Sequence, residues 1–244
     1  VSQDLLKKVV QSPVLVRVLP FAIFLALTSF QGRFGAASAY WFYAAKTVLC
    51  GWMVWALRPW IAEMKWQFTP AALLGGVGVL VMWVGIDSWY PHMDAVMNQY
   101  LNPLFARLGF KTEAAAAPAV WNPHLVFGEN TSLAWFFVVM RVLGSTFVVP
   151  PLEEVFYRSF LYRYIARPDF QKASCGVFLW KPFVITSVLF GLTHNQWLAG
   201  ILCGFAFQGL VLWKGRLDDA ITAHAITNFL LALWVIWKGA WQFW

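Results

Sequence analysis

Seven apolar runs divide the chain, at 18–30, 39–57, 71–90, 133–149, 183–193, 198–213 and 220–237, each bounded by polar, basic or proline-containing segments. A helix needs ~20 apolar residues to cross the hydrocarbon core of a bilayer. Backbone groups placed in hydrocarbon must be hydrogen-bonded within their own element, so such runs are helices unless they close into a barrel. The two-residue alternation of barrel strands is absent. The expected fold is therefore all-α: a polytopic transmembrane helix bundle of about seven spans, forming one integral membrane domain over 1–244. Composition agrees, with 60% hydrophobic and 12% charged residues, where soluble domains run near ~25% charged. A soluble enzyme, a nucleic-acid module and a disordered chain are all excluded. The formal charge of +7 then reports cytoplasmic loops rather than a nucleic-acid partner. Cys50, Cys175 and Cys203 are scattered and give neither a disulfide framework nor a metal-type spacing.

The loops orient the spans. With the N-terminus inside, the inner segments carry Lys7, Lys8, Arg17, Arg58, Lys65, Arg163, Arg167, Lys172, Lys181, Lys214 and Arg216. The outer ones carry only Arg33, Arg107, Lys111 and Lys238. This is the positive-inside bias, and it gives a cytoplasmic N-terminus; the expected location is a bacterial inner (cytoplasmic) membrane. No small-residue cleavage site follows the first apolar run, so no removable signal peptide is expected. The bias requires residues 131–166 to cross once, kinked at Pro150-Pro151. Splitting that segment gives eight spans and moves Arg163, Arg167, Lys172 and Lys181 outside. Residues 91–130 form the long outer loop, with Pro91, Pro103, Pro118 and Pro123, an alanine run at 114–117, a short amphipathic helix at about 93–108, and His92 and His124 as solvated loop residues. Trp41, Trp60, Trp66, Trp89, Trp197, Trp213 and Trp241 sit near span ends, where the amphipathic ring suits the headgroup layer.

Ionisable residues inside spans are costly and so carry functional hypotheses. Lys46 and Arg141 are isolated, and a structural role is expected for each, by snorkelling or by pairing with a neighbouring span. The segment Pro150-Pro151-Leu152-Glu153-Glu154-Val155-Phe156-Tyr157-Arg158 is different. Glu154 and Arg158 are i,i+4 neighbours on a helix and can form an ion pair. Glu153 lies about 100° round the helix and is left free for chemistry. A helix restarting at Pro151 would put both carboxylates in its first turn. Two further clusters add polar groups: Phe190-Gly191-Leu192-Thr193-His194 ends a span, and His224-Ala225-Ile226-Thr227-Asn228 places a histidine and an amide on one face of the last. Counting ~1.5 Å per residue from the basic boundaries lets Glu153, His194, His224 and Asn228 meet in one cavity, between mid-membrane and the cytoplasmic side.

Glu153-Glu154-x-x-x-Arg158, Phe190-x-x-x-His194 and His224-x-x-x-Asn228, in that order, resemble the motifs of the CAAX protease and bacteriocin-processing family (CPBP, or Abi) of intramembrane proteases. The chain is also similar to a bacterial subgroup described as CAAX prenyl protease-related. The resemblance covers about 131–237, the expected catalytic core. Ser159 stands where a glycine often follows the motif arginine. The resemblance implies hydrolysis of a peptide bond in a membrane-associated protein or peptide. Glu153, helped by His194, would activate a water. His224 and Asn228 would donate hydrogen bonds to the oxyanion, and Glu154 and Arg158 would hold the site together. No cofactor is implied by this glutamate mechanism. The alternative is a zinc metalloprotease using Glu153, His194 and His224, although there is no His-Glu-x-x-His and Asn228 suits an oxyanion donor better than a ligand. Two other classes compete: an ion-coupled transporter using Glu and His as a relay, and a non-catalytic immunity or scaffold protein. Only Pro150-Pro151 breaks a span, where a transporter more often breaks spans in both halves.

Overall fold

A computed structural model describes residues 3–112 and 120–244, the first four as backbone. The alanine run 114–117 and Pro118 lie outside the described residues. All regular structure among the described residues is helical: α1 (Gln3–Gln11), α2 (Pro13–Ser29), α3 (Ser38–Leu57), α4 (Pro70–Gly85), α5 (Met93–Val96), α6 (Asn102–Arg107), α7 (Pro123–Phe127), α8 (Ser132–Leu143), α9 (Val149–Glu154), α10 (Tyr162–Ala166), α11 (Trp180–Leu192), α12 (Trp197–Lys214) and α13 (Asp218–Lys238). Each of the seven apolar runs falls on a helix. Among the described residues, four stretches are long and apolar enough to cross a membrane: Pro70–Arg107, Ser132–Ala166, Trp197–Lys214 and Asp218–Lys238. Helices α2 and α11 are apolar but shorter, and α3 has 20 residues with Lys46 inside it.

Helix starts follow local chemistry. Ser12, Thr69 and Thr131 each accept a hydrogen bond from a backbone N–H in the first turn of α2, α4 and α8, and proline opens both α2 and α4. The cap oxygen satisfies an orphan donor, and proline at that position has no N–H to lose. Small residues then let helices approach. A Cβ at Gly76 would lie 2.6 Å from the Ala223 carbonyl oxygen, and one at Gly204 would lie 2.8 Å from Ser187 Cα. Thus α4 packs on α13, and α12 on α11, at a separation that only glycine permits. Where lipid removes the hydrophobic drive between helices, such close packing is what holds them.

The segment Ser132–Ala166 is continuous over 35 residues. The double proline does not restart the helix, so Glu153 and Glu154 close α9 instead of occupying a first turn. The disruption is taken up by two π turns, Gly144–Val148 and Val155–Leu161, on either side of α9. In the first, the Val149 N–H reaches back to the Gly144 carbonyl. The next residue, Pro150, has no N–H to give. The Ser145 carbonyl is thereby left without a helical donor.

The segment 91–130 departs from expectation in its histidines. His92 Nε2 lies 3.0 Å from Asp87 Oδ1, and the ring packs against Tyr90. His124 packs between Trp135 and Trp241 and accepts from the Asn130 N–H at 3.3 Å. Both are partly buried and partnered rather than solvated. Their partners lie close in sequence for His92 but span the fold for His124, which no loop pattern reveals. The helix expected at 93–108 is present as α5, a π turn and α6.

The bundle has two unlike ends. At one, α2, the 58–69 connection and α10 meet in a network. Arg17 donates twice to Glu63, from Nε to Oε1 and from Nη2 to Oε2, each at 2.9 Å. Arg163 Nη2 donates to the same carboxylate at 2.7 Å. The Ser159 hydroxyl donates to Glu63 and accepts from Arg17 (3.1 Å) and Arg163 (2.7 Å). Nearby, Asp219 at the start of α13 accepts from Thr69 and Arg216. The other end, formed by the turn after α2, residues 193–196 and the last residues after α13, holds a cavity.

Candidate active site

The two adjacent glutamates have different surroundings. Glu154 is fully buried, and its Oε1 lies 3.2 Å from Arg158 Nη1, one helical turn on, and 2.9 Å from His224 Nδ1. Glu153 is 9% exposed, has no hydrogen bond to its Oε2, and lines the cavity. The nearest basic group to that oxygen is His224 Nε2, at 3.9 Å. Arg158 is held in turn by stacking over Phe190, 4.4 Å from the ring centroid.

The histidines are oriented through their Nδ1 atoms. His194 Nδ1 lies 2.8 Å from the Phe190 carbonyl oxygen. A carbonyl only accepts, so Nδ1 carries a proton and Nε2 of the neutral ring is a lone pair. The i,i+4 spacing of Phe190 and His194 serves this bond directly. His224 Nδ1 likewise gives its proton to Glu154, and the ring is stacked on Phe207 at 5.0 Å. Its Nε2 is thereby aimed at Glu153. Asn228, one turn beyond His224, donates from Nδ2 to the Ser145 carbonyl at 2.8 Å. This is the acceptor that Pro150 freed, so the double proline fixes which way the Asn228 amide faces. One N–H of that amide remains.

Glu153, His194, His224 and Asn228 all line one cavity of about 570 Å³. The depth count is corrected in one respect. The cavity runs from Glu153 and His224 toward Gln31, Gln196 and Gln242, away from the basic boundary at Arg163 and Lys181. The reason is α11. It spans only 13 residues, so His194 lies past its last turn, at the far end of the bundle. Among the described residues, no group of three or more His, Cys, Asp or Glu side chains is placed to hold a metal ion.

Three participants were not read from the sequence as part of this region. The Ser145 carbonyl is invisible without the π register. Lys46 and Arg141 were expected as isolated structural cations, yet both line the cavity. Ser159, noted only as a departure from glycine, sits at the centre of the network on the opposite end.

The fold and this cluster define an integral membrane protein with a buried carboxylate, imidazole and amide site. Residues 134–230 match the family model described as type II CAAX prenyl endopeptidase Rce1-like, and over that stretch the resemblance read from the three motifs is borne out. The matched stretch contains Glu153, Glu154, Arg158, His194, His224 and Asn228, and supports a CAAX prenyl endopeptidase-like peptidase. No curated protein and no solved structure matches the chain.

Proposed function

We propose that the protein is an intramembrane endopeptidase that cleaves a peptide bond of a membrane-associated protein or peptide with a water activated by Glu153. The observation that carries this reading is the division between the two glutamates. Glu154 is committed to Arg158 and His224, while Glu153 keeps an unpartnered oxygen on the cavity wall. Glu153 takes a proton from water, assisted by the lone pair of His194 Nε2, and the hydroxide adds to the scissile carbonyl carbon. The carbonyl oxygen becomes an oxyanion, which accepts from the remaining Asn228 N–H and, in the imidazolium form, from His224 Nε2. The proton held by Glu153 passes to the leaving nitrogen as the C–N bond breaks. Glu154 and Arg158 orient His224 and touch no reacting atom. No metal takes part in this scheme.

The orientation is also proposed: seven spans with the N-terminus and the Arg17–Glu63–Arg163 network on the cytoplasmic side of a bacterial inner membrane, and the cavity opening outward. The support is the basic bias of the loops at the network end. Cysteines introduced in 167–181 should label only from the cytoplasm, and those in 103–112 only from outside. Labelling of both from one side contradicts the topology.

The reaction is tested with purified Glu153→Gln protein. Its cleavage of a membrane-peptide substrate should fall by ~10²–10⁴-fold, the usual contribution of a positioned base, with melting temperature unchanged. Asn228→Ala should fall by ~10²–10³-fold. Normal turnover by Glu153→Gln would sink the assignment.

A further inference from the structure

The cavity wall carries two cations, Lys46 and Arg141, that form no ion pair with a carboxylate among the described residues. Lys46, in the middle of α3, is 3% exposed. Its Nζ donates only to neutral oxygens, Thr28 Oγ1 at 2.7 Å and Gln31 Oε1 at 3.3 Å, and lies 4.1 Å from the Phe24 ring centroid. Arg141, in the last turn of α8, stacks on Trp121 at 4.9 Å; its backbone carbonyl accepts from the Tyr43 hydroxyl at 3.3 Å, but its guanidinium makes no hydrogen bond or ion pair with a described residue. Both cations approach the same ring, Tyr43, at 4.9 and 4.6 Å. Two like charges on one ring repel each other in a medium of low dielectric.

Elsewhere the protein obeys the rule that buried charges are paired. Arg17 and Arg163 share Glu63, and Arg158 has Glu154. The cavity does not. Glu153, the acidic side chain among the described residues that line it, lies within ion-pair distance of neither Lys46 nor Arg141. No described residue bonds the donor edge of the Arg141 guanidinium, and such an edge matches the two oxygens of a carboxylate.

We propose that Lys46 and Arg141 form an anion-recognition pole that takes a carboxylate of the peptide substrate and so sets the scissile bond against Glu153. This rests on the endopeptidase reading above. A peptide carboxylate is favoured over a lipid phosphate because amides also line the cavity, at Gln31, Asn195 and Gln196, and amides pair with both the N–H and C=O groups of a backbone. The volume, about 570 Å³, is within the ordinary range of small-molecule sites. The carboxylate is either the C-terminal one or an Asp or Glu side chain; the chemistry is the same.

The test measures binding, with cleavage blocked by Glu153→Gln in the full-length protein in neutral detergent. Three fluorescent apolar hexapeptides are compared by anisotropy: a free acid, its C-terminal amide, and an amide with one internal Glu. At least one carboxylate-bearing peptide should bind about tenfold or more tightly than the neutral amide, as a hydrogen-bonded charge is worth this much. Preference for the free acid alone assigns the pole to a chain terminus, and recovery by the Glu-containing amide assigns it to a side chain. The preference should vanish in Arg141→Gln, weaken in Lys46→Gln and persist in Arg141→Lys, which keeps the charge while giving up the stacking on Trp121. Should Arg141→Gln fail to fold, Lys46→Gln and Arg141→Lys carry the comparison. Equal binding of all three peptides overturns the proposal. So does a preference that survives Lys46→Gln and Arg141→Gln together, or displacement of the acidic peptide by phosphatidylglycerol micelles with no such effect of peptide acid on the lipid. Because nothing is cleaved in this assay, a protein that discriminates but shows no peptidase activity would overturn only the endopeptidase reading.

Discussion

The two ends of the bundle treat charge in opposite ways. At the network end, Glu63 is shared by Arg17 and Arg163 with Ser159 between them, and each buried cation has its carboxylate. At the cavity end, Glu153 keeps an oxygen without a partner among the described residues, and Lys46 and Arg141 are set against neutral oxygens and aromatic rings. Paired and hydrogen-bonded charges resist disturbance, because removing one partner strands the other in a poor solvent. Unpaired ones are expensive, and their cost is tolerated where binding or chemistry uses them. The difference separates the part of the molecule that holds helices together from the part proposed to act. Glu154 stands at the border between them: adjacent to Glu153 in sequence, but treated like the network end.

The contrast can be broken first at that border. Glu154→Gln leaves Arg158 without a counter-charge and His224 without its anionic acceptor. It should cost on the order of 3–5 kcal/mol of stability, the usual result of breaking a buried pair, read as a lower melting temperature in detergent. Glu153→Gln should not. If the two variants melt alike, the separation of roles is wrong.

A smaller effect is expected at the network end. Glu63→Gln strands Arg17 and Arg163 beside each other, costing on the order of 3 kcal/mol, the lower part of that range because Glu63 keeps some exposure. The same residue gives the pH dependence its sign. Burial works against the Glu63 carboxylate, but hydrogen bonding from Ser159 and the Arg17 charge outweigh it, and the pKa is held below the ordinary value. A group lowered on folding contributes stability above its unfolded pKa and loses it as pH falls through the folded one. The wild-type protein should therefore lose this increment on acidification, and Glu63→Gln should lack it. Melting curves from neutral to acid pH check this, and parallel curves for the two proteins would contradict it.

Much of the helix content was legible because lipid leaves the backbone so few choices. Each of the seven apolar runs falls on a helix, and Ser132–Ala166 is one continuous helical stretch in which the prolines change the register without ending the helix. Some of the cluster was legible because i,i+4 spacing is local. Glu154–Arg158 is an ion pair, Phe190 accepts from His194, and His224 and Asn228 share a face. What could not be read depends on register or on distant partners. The Ser145 carbonyl is free only because a π turn and Pro150 together deny it a donor. Glu63 meets Ser159 across 96 residues. The direction of the cavity follows from where α11 stops, and Thr193, not an evident breaker, is where it stops. Lys46 and Arg141 looked alike as isolated cations in apolar runs, and only their meeting at Tyr43 gives them a common purpose.

The central claim is that a carboxylate, and not a metal ion, generates the nucleophile in this cavity. Purified protein should therefore be treated at length with phenanthroline, assayed for peptide cleavage, and analysed for bound metal. Activity that survives, with no stoichiometric zinc, is the predicted result. One zinc per chain, with activity lost on its removal and regained on its return, would contradict the account, because the water would then be activated by the metal and Glu153, His194 and His224 would be its ligands.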